Sequence, residues 1–267
     1  MSYVRVEKPR PHVGVISIDR PERLNALSFD TVLPFHEAVA EVGADEDTWV
    51  VVLTGAGRAF CSGLDLEDHG LPPGAEGMRL PRLAIRSMEI FASLVPELRA
   101  LRQPVIAAVN GPAYGGGFCL AMGADVRIAA ESARFCNAGV NNGLTGTELG
   151  VSWLLPRLIG ASRAAEIILS GRVVEAAEAD RIGLVSRVVP DAGLMDAVFE
   201  LADQMCGLSP HGLAMTKKVL WSNLEVASLE AAIDLESRNQ LLVRLTTQNL
   251  DEAIRARREG RKPKFED

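Results

Sequence analysis

Short apolar runs rich in β-branched residues alternate with stretches of helical periodicity along residues 1–190. The runs are Val13–Ile18, Trp49–Thr54, Val105–Val109, Val126–Ala129 and Leu184–Val189, each soon followed by a glycine, a proline or a charged residue. Such runs favour buried strands. Because parallel strands need a crossover that is usually helical, the alternation predicts an α/β fold with largely parallel strands. Ser28 is predicted to cap the first of these helices with its hydroxyl group.

The strand pattern stops after about Pro190, and residues 191–267 carry helical patterns instead. These helices are predicted over Leu194–Cys206, Gly212–Leu224, Leu229–Leu245 and Leu250–Glu259. Apolar residues recur on the third of them, namely Leu229, Ile233, Leu241, Leu242 and Leu245, with little chain left to cover them. We therefore expect two parts, a core over residues 1–190 and a helical region that packs on the core or on another subunit.

Charge and cysteine content exclude several classes of function. The net charge of -7 and a pI near 5.3 do not favour nucleic acid, although the C-terminal tail is basic. The four cysteines show no metal-ligand spacing and are too few for a disulfide scaffold. No stretch approaches the roughly 18 apolar residues that a membrane span needs, and the first residues have no apolar signal core. We expect a cytoplasmic protein with reduced thiols and no membrane partner.

A glycine-rich turn follows the third apolar run. Within Pro104–Met122 the sequence passes from a strand through Asn110 to three glycines, Gly115, Gly116 and Gly117, which open into a helix. Glycines let a ligand approach the backbone closely, and a helix start leaves N–H groups unpaired, ready for a negative oxygen. The alternative interpretation is a tight strand-to-helix turn without a ligand.

A second turn of this kind follows the run Trp49–Thr54, in the segment Ala59–Leu66. Two donor turns could converge on one oxygen. A thioester carbonyl that becomes an enolate needs this arrangement, because its charge develops on oxygen and fixed N–H groups meet it without reorganising. The glycine- and proline-rich segment His69–Pro81 is predicted to be a loop that forms a lid or a pocket wall.

Several motifs stand in an order that resembles the enoyl-CoA hydratase/isomerase (crotonase) superfamily over essentially the whole chain. They are Arg23-Leu24-Asn25-Ala26-Leu27, Ala59–Leu66, Pro104–Met122, Leu155-Pro156-Arg157-Leu158-Ile159-Gly160 and Gly183-Leu184-Val185. The resemblance implies an α/β fold, a crotonase-like spiral of ββα turns with a C-terminal helical trimerisation region. It also implies an acyl-CoA substrate, a homotrimer or a hexamer built as a dimer of trimers, and no cofactor apart from the coenzyme A of the substrate.

The resemblance carries over to individual residues. By position, the backbone N–H groups of Leu64 and Gly116 would hold the thioester oxygen. Other residues of the same motifs are expected to line the substrate site: Ala59, Cys61, Asp65, Leu66, Tyr114, Gly115, Gly117, Cys119, Gly139 and Asn142. The nucleotide end of coenzyme A is expected near Arg23 and near Lys262, Lys264 and Phe265 of the tail, whose cations suit phosphates. Composition alone instead predicts a frayed, solvated tail.

The acids depart from the hydratase pattern. Similar hydratases carry two glutamates where this chain has Cys119 and Gly139, so the two-glutamate hydration machinery is missing. Glu148 resembles the single glutamate with which peroxisomal-type Δ3,Δ2-enoyl-CoA isomerases move a proton. Its other interpretation is an acid in the first turn of a helix. Asp65 and Asp68 are alternative carboxylates, although Asp65 is expected to stabilise a turn.

Three functions remain open. The first is an isomerase-like enzyme with Glu148 as acid and base. The second is a hydratase for an unusual enoyl group, with water held by Asn141, Asn142 or Glu148. The third is an acyl-CoA-binding protein without catalysis. Cys119 is expected to be a packing residue, since no histidine lies near it in the sequence to activate a thiol.

Overall fold

The computed structural model describes residues 2–265, and over this range it contains nine strands and eleven α-helices. The strands are β1 (Val4–Arg10), β2 (Val13–Ile18), β3 (Val50–Gly55), β4 (Val105–Val109), β5 (Pro112–Tyr114), β6 (Val126–Ala130), β7 (Arg134–Cys136), β8 (Val174–Glu175) and β9 (Arg187–Val189). The helices are α1 (Phe29–Ala44), α2 (Leu80–Ala92), α3 (Leu94–Ala100), α4 (Gly116–Gly123), α5 (Val151–Ile159), α6 (Ala161–Ser170), α7 (Ala176–Arg181), α8 (Leu194–Cys206), α9 (Pro210–Ser222), α10 (Leu229–Thr246) and α11 (Asn249–Glu259).

The predicted parallel strands form the main sheet. Its order is β1-β2-β3-β4-β6-β9, and every neighbouring pair except the β1–β2 hairpin is parallel. A smaller sheet has the order β5-β7-β8. The α/β prediction is confirmed, and β2 and β4 have the predicted bounds. The hairpin strand β1 was missed because its pattern is mostly charged and only partly buried, as in a half-solvated edge strand.

The inner strands β2, β3, β4 and β6 of the main sheet are buried on both faces, which explains why they are largely apolar. Alternate side chains of a strand point to opposite faces. Ile16 and Leu53 therefore join the larger core cluster with α1, α3 and α4, while Val15 and Val52 pack against α8 on the other face. Helix α8 thus completes the core.

The later helices were predicted well, but the cap of the first helix was not. Helix α1 begins at Phe29 as expected, yet the Ser28 hydroxyl caps no N–H group and lies 3.4 Å from the Thr31 hydroxyl. The five apolar residues of α10 singled out in the sequence are 46% exposed or more. Among residues 2–265 no helix is both long and apolar enough to cross a membrane.

Candidate active site

The first donor turn follows the carboxyl end of β3 and is braced by two asparagines. Asn25 Nδ2 donates to the carbonyls of Ala56 and Ala59 at 2.9 and 2.7 Å. Asn110 Nδ2, from the end of β4, donates to Gly55 O at 2.8 Å. Leu24 and Asn25 have φ of 53° and 58°, a conformation that non-glycine residues seldom adopt. The motif around Asn25 is thus a strained brace that shapes the turn. The sequence motifs do not predict these bracing roles of Asn25 and Asn110, because the carbonyl groups that they bind come close only in the folded chain.

The second donor turn meets the first. The N–H of Tyr114 donates to Cys61 O at 2.9 Å, and the N–H of Gly115 donates to Cys136 O at 2.9 Å. A methyl group placed on Gly63 would lie 2.7 Å from Tyr114 O and 3.2 Å from Gly116 N. The residue before Leu64 therefore lies against the start of α4, so the two turns are in contact.

Two backbone donors remain open at this junction. Neither the Leu64 N–H nor the Gly116 N–H donates a hydrogen bond among the described residues. Both neighbours of Leu64 are engaged, since Gly63 O accepts from Leu27 N and Asp65 N donates to Leu27 O. Two fixed, unpaired N–H groups, of which that of Gly116 lies at a helix start, can stabilise an oxygen that becomes negative.

Gly117, in contrast, has a packing role. A methyl group on Gly117 would lie 2.1 Å from Cys61 O, so the absence of a side chain allows α4 to approach the first turn. Cys61 is buried beside it, and Ala59 is buried in the same first turn. Leu64 and Leu66 are 40% and 64% exposed, so their side chains lie at the surface of the site.

Glu148 brings a carboxylate to these turns. A methyl group placed on Gly115 would lie 3.5 Å from Glu148 Oε1. The side chain is half-buried, and its carboxyl group makes no hydrogen bond or ion pair among residues 2–265. Burial raises the pKa of Glu148 above the usual glutamate value. A carboxyl group with a raised pKa accepts a proton more readily than an exposed glutamate and can return it later in the same reaction cycle.

The backbone of Glu148 is held from two sides. Glu148 lies before α5 rather than in its first turn, so the helical alternative for this residue is wrong. Its carbonyl accepts from Val151 N at 2.9 Å and from the Cys119 thiol at 3.6 Å. The following Leu149 has φ of 46°. The loop thus directs the carboxyl group toward Gly115.

The two positions that carry glutamates in hydratases hold no acid and leave little room. The Cys119 side chain is fully buried, and burial raises the pKa of its thiol well above the usual value, which disfavours a nucleophilic thiolate. A methyl group on Gly139 would lie 2.2 Å from Thr145 O. Any side chain at residue 139 therefore requires the loop to move. Asn142 ends a short 3-10 helix in this loop and is exposed.

Asp65 is engaged in structure rather than in proton transfer. Its carboxylate pairs with Arg20 at 2.8 Å and Arg23 at 2.7 Å, and it accepts from the N–H groups of Glu67 and Asp68 at 3.1 Å. These partners hold the pKa of Asp65 well below its usual range, with Arg23 the largest cause. The expected turn-stabilising role is confirmed by these bonds.

The basic tail is ordered by one acid. Residues 249–259 form α11, so the alternative of a frayed end from Arg255 onward is wrong for residues 255–259. The Glu252 carboxylate pairs with Arg261 at 2.6 Å and accepts from Lys264 N at 2.9 Å. The ammonium groups of Lys262 and Lys264 form no ion pair among the described residues, and Phe265 is partly buried. The two ammonium groups are therefore available to bind an anion.

Glu148→Gln is expected to raise the unfolding temperature at neutral pH. With a raised pKa, the folded protein binds the proton more tightly than the unfolded chain. Above the folded pKa the native state must therefore bury a charge, whereas below about pH 4 both states are protonated and the cost disappears. Thermal unfolding of both proteins across pH measures this. Equal unfolding temperatures at every pH would contradict the burial of the charge.

Among residues 2–265 no group of three or more histidine, cysteine, aspartate or glutamate side chains is placed to hold a metal ion.

Several known proteins are similar to this chain over most of its length. The family profile described as Enoyl-CoA hydratase/isomerase matches residues 10–267. A probable enoyl-CoA hydratase of Mycobacterium bovis is 54% identical over 267 residues, which cover 100% of this chain and 94% of the relative. A probable enoyl-CoA hydratase/isomerase from Mycobacterium abscessus superimposes with a TM-score of 0.94 at 47% identity, covering 99% of this chain and 98% of that structure. A monofunctional enoyl CoA isomerase from M. smegmatis superimposes with a TM-score of 0.74 at 47% identity, covering 87% of this chain and 99% of that structure.

Proposed function

Because the chain belongs to the enoyl-CoA hydratase/isomerase family of enzymes, we propose that it is an isomerase that moves the double bond of a 3-enoyl-CoA to the 2-position. One observation carries this proposal. The site has a single half-buried carboxylate, Glu148, whose Oε1 lies beside Gly115 of the donor turns, and it has no second carboxylate at either hydratase position. One acid is sufficient for isomerisation.

The proposed reaction begins with the thioester oxygen bound to the N–H groups of Leu64 and Gly116, which form an oxyanion hole. The Glu148 carboxylate removes a proton from C2. The C–H electron pair forms a C1–C2 double bond, and negative charge moves to the thioester oxygen. The charge then returns through the dienolate, Glu148 delivers the same proton to C4, and the double bond lies between C2 and C3. No atom is gained or lost.

The raised pKa of Glu148 suits this exchange. An acid–base group works best when its pKa is close to the operating pH, because it must accept and donate in one cycle. An exposed glutamate would accept the proton less readily. The buried thiol of Cys119 supports the backbone of Glu148 without competing for the proton.

Gly139→Glu is expected to create no hydratase activity. The new Cβ would lie 2.2 Å from Thr145 O, so the loop that leads to Glu148 must shift, and overpacking of this kind typically costs about 1–3 kcal/mol. The variant should unfold at a lower temperature and isomerise more slowly. Assays for 3-hydroxyacyl product and thermal unfolding test this. Asn142→Glu is the control, since it adds the same carboxylate at an exposed position of the loop. Rapid hydration by Gly139→Glu would contradict the proposal.

A hydratase is the second candidate, and the observation that favours it is the name carried by the M. bovis relative at 54% identity. In this alternative Glu148 would activate a water molecule held by the exposed Asn142. The third candidate, a binding protein without catalysis, would keep both donor turns without using Glu148.

We also propose where coenzyme A binds, that no further cofactor is needed, and where in the cell the enzyme acts. The nucleotide of coenzyme A would bind the partly exposed Arg23 and, in the tail, Lys262, Lys264 and Phe265. No further cofactor would take part, because backbone N–H groups polarise the thioester. A cytoplasmic location is supported by four cysteines that are all free thiols.

A homotrimer or a dimer of trimers is supported by the surface of the C-terminal helices. The exposed apolar residues of α10 would be covered by a second copy of the chain. A groove of about 940 Å³ between α9 and α10, lined by residues such as Leu213, Leu220 and Val243, offers a further surface for this contact. Sedimentation of the purified chain would distinguish these states from a monomer.

Product analysis tests the proposed function. The enzyme and its Glu148→Gln variant are incubated separately with a 3-enoyl-CoA and a 2-enoyl-CoA, and the products are separated by chromatography. We expect conversion of the 3-enoyl to the 2-enoyl thioester by the wild type alone, without 3-hydroxyacyl product. A 3-hydroxyacyl product would support the hydratase, and tight binding without turnover would support the binding protein.

A further inference from the structure

A stack of aromatic and cationic side chains links three helices outside the active site. On α5, the Arg157 guanidinium lies 3.9 Å from the centre of the Trp153 ring. On α3, the Arg99 guanidinium lies 5.6 Å from the same ring and 3.8 Å from the ring of Trp221 on α9. These distances are within the about 6 Å over which a cation is attracted to an aromatic face. Arg99 is therefore the member that joins α5 to α9.

The α9 end of the stack is fixed to the main sheet through Asp125. Trp221 Nε1 donates to Asp125 Oδ1 at 2.5 Å, and Lys217 Nζ pairs with Oδ2 at 2.8 Å. Oδ2 also accepts from the N–H of Val105, the first residue of β4, at 2.7 Å. The side chain of Lys217 is 6% exposed and that of Asp125 is 12% exposed. Breaking such a pair would leave a buried charge uncompensated, so the ring of Trp221 has a rigid support.

Arg99 itself depends on the rings. It forms no ion pair among residues 2–265, and its buried Nη1 has no hydrogen-bond partner there. Partial burial lowers the pKa of its guanidinium, although Asp125 opposes this effect. A planar guanidinium can stack between two aromatic faces, whereas an ion pair would direct it to a single carboxylate. The position of Arg99 is thus set by Trp153 and Trp221.

The α5 end of the stack is two residues from Val151, whose N–H group binds the backbone of Glu148. The Glu148 carbonyl accepts from the N–H of Val151, the first residue of α5, and Trp153 lies in the same first turn. Between them the half-buried Leu149 packs toward Gly116, since a methyl group on that glycine would lie 3.4 Å from Leu149 Cδ1. A shift of α5 would therefore change the distance between the Glu148 carboxylate and the donor turns.

We propose that Arg99 is a positioning residue that holds α5, and with it Glu148, against the oxyanion hole by bracing Trp153 on the rigidly mounted Trp221. This inference rests on the proposed function, in which Glu148 is the acid and base. Arg99 acts through the two rings and has no contact with Glu148 among its described partners. Its loss should therefore slow the proton transfer and leave substrate binding unchanged.

The test compares Arg99→Met with Arg157→Met on a 3-enoyl-CoA. Arg99→Met is expected to lower kcat by about tenfold to about a hundredfold with KM nearly unchanged, since a displacement of about 1 Å can cost a catalytic group that much. Arg157→Met removes a cation from the same Trp153 ring without touching α9, so its kcat should stay within about twofold of the wild type. Arg99→Lys keeps a cation and should restore part of the lost rate.

Trp221→Phe gives a second route to the same conclusion. It keeps an aromatic face for Arg99 but removes the bond to Asp125, so a smaller fall in kcat is expected, again at unchanged KM. Thermal unfolding of every variant verifies that it is folded at the assay temperature. A wild-type kcat in Arg99→Met, or a fall in Arg157→Met equal to that in Arg99→Met, would overturn the proposal.

Glu148→Gln assayed in parallel separates the two hypotheses. If Glu148→Gln is fully active, the proposed function is wrong whatever Arg99 does. If Glu148→Gln is inactive and Arg99→Met retains wild-type kcat, only the positioning role is overturned. A raised KM with unchanged kcat in Arg99→Met would also overturn it, because that result places Arg99 in binding.

Discussion

Glu148→Gln should lower kcat for the isomerisation of a 3-enoyl-CoA by about a thousandfold, within the range of about 10²–10⁴ that a positioned acid–base group contributes. The amide has the shape of the carboxyl group but cannot accept the C2 proton. Affinity for the thioester should change little, because the donor N–H groups and the pocket stay in place. Rates followed by the absorbance of the 2-enoyl product, with binding measured by calorimetry, test both statements.

Asp68→Asn is the matched control for this change. Asp68 is an exposed carboxylate beside the first donor turn, and its N–H group, not its side chain, binds Asp65. The variant removes the same charge near the site and should keep wild-type activity. An equal loss in both variants would indicate a general effect of charge, and an active Glu148→Gln would exclude the proton shuttle.

Gly63→Ala should lower kcat by about 10²–10³, the cost of losing one oxyanion donor. Gly63 has φ of 86°, and its new methyl group would lie 2.7 Å from Tyr114 O and 3.2 Å from Gly116 N. The two donor turns must then separate, so the Leu64 and Gly116 N–H groups no longer meet at one oxygen. Steady-state kinetics on the same thioester measure the loss.

Gly160→Ala separates crowding from backbone strain. Gly160 has the same φ of 86°, but nothing lies within 4 Å of the methyl group that the substitution adds. Gly160→Ala should lose only the stability that backbone strain costs, about 1–3 kcal/mol for a non-glycine residue with this φ and a ψ of 151°, whereas Gly63→Ala should lose stability to crowding as well. Only Gly63→Ala should lose activity beyond its loss of folded protein. Equal activity of the two variants would contradict the convergence of the donor turns.

The order of the core elements was predictable because it follows local patterns. The runs that became β2 and β4 are continuous apolar segments, and such segments specify buried parallel strands without knowledge of their neighbours. The short strands β5, β7 and β8 were not predictable, since each has three residues or fewer and pairs only within the assembled fold. The cap predicted at Ser28 was wrong for a similar reason, because in the folded chain its hydroxyl lies next to the Thr31 hydroxyl instead of a free N–H group.

The site was predictable in its backbone and less so in its supports. Gly63 and Gly115–Gly117 indicated the two turns from the sequence alone, since few other residues fit at these positions. The exclusion of a side chain at Gly139 depends on Thr145, which only the folded loop brings close. The stack through Arg99 joins residues from three separate helices, and no local pattern predicts such a contact.

The most direct test of the single-carboxylate shuttle follows one hydrogen atom. A 3-enoyl-CoA that carries deuterium at C2 is converted by the wild-type enzyme in ordinary water, and the product is examined by NMR. A proton that leaves C2 and returns from the same carboxyl group predicts 2-enoyl product with part of the deuterium at C4. A product with a hydroxyl group at C3, or one whose C4 hydrogen always comes from water, would contradict the shuttle.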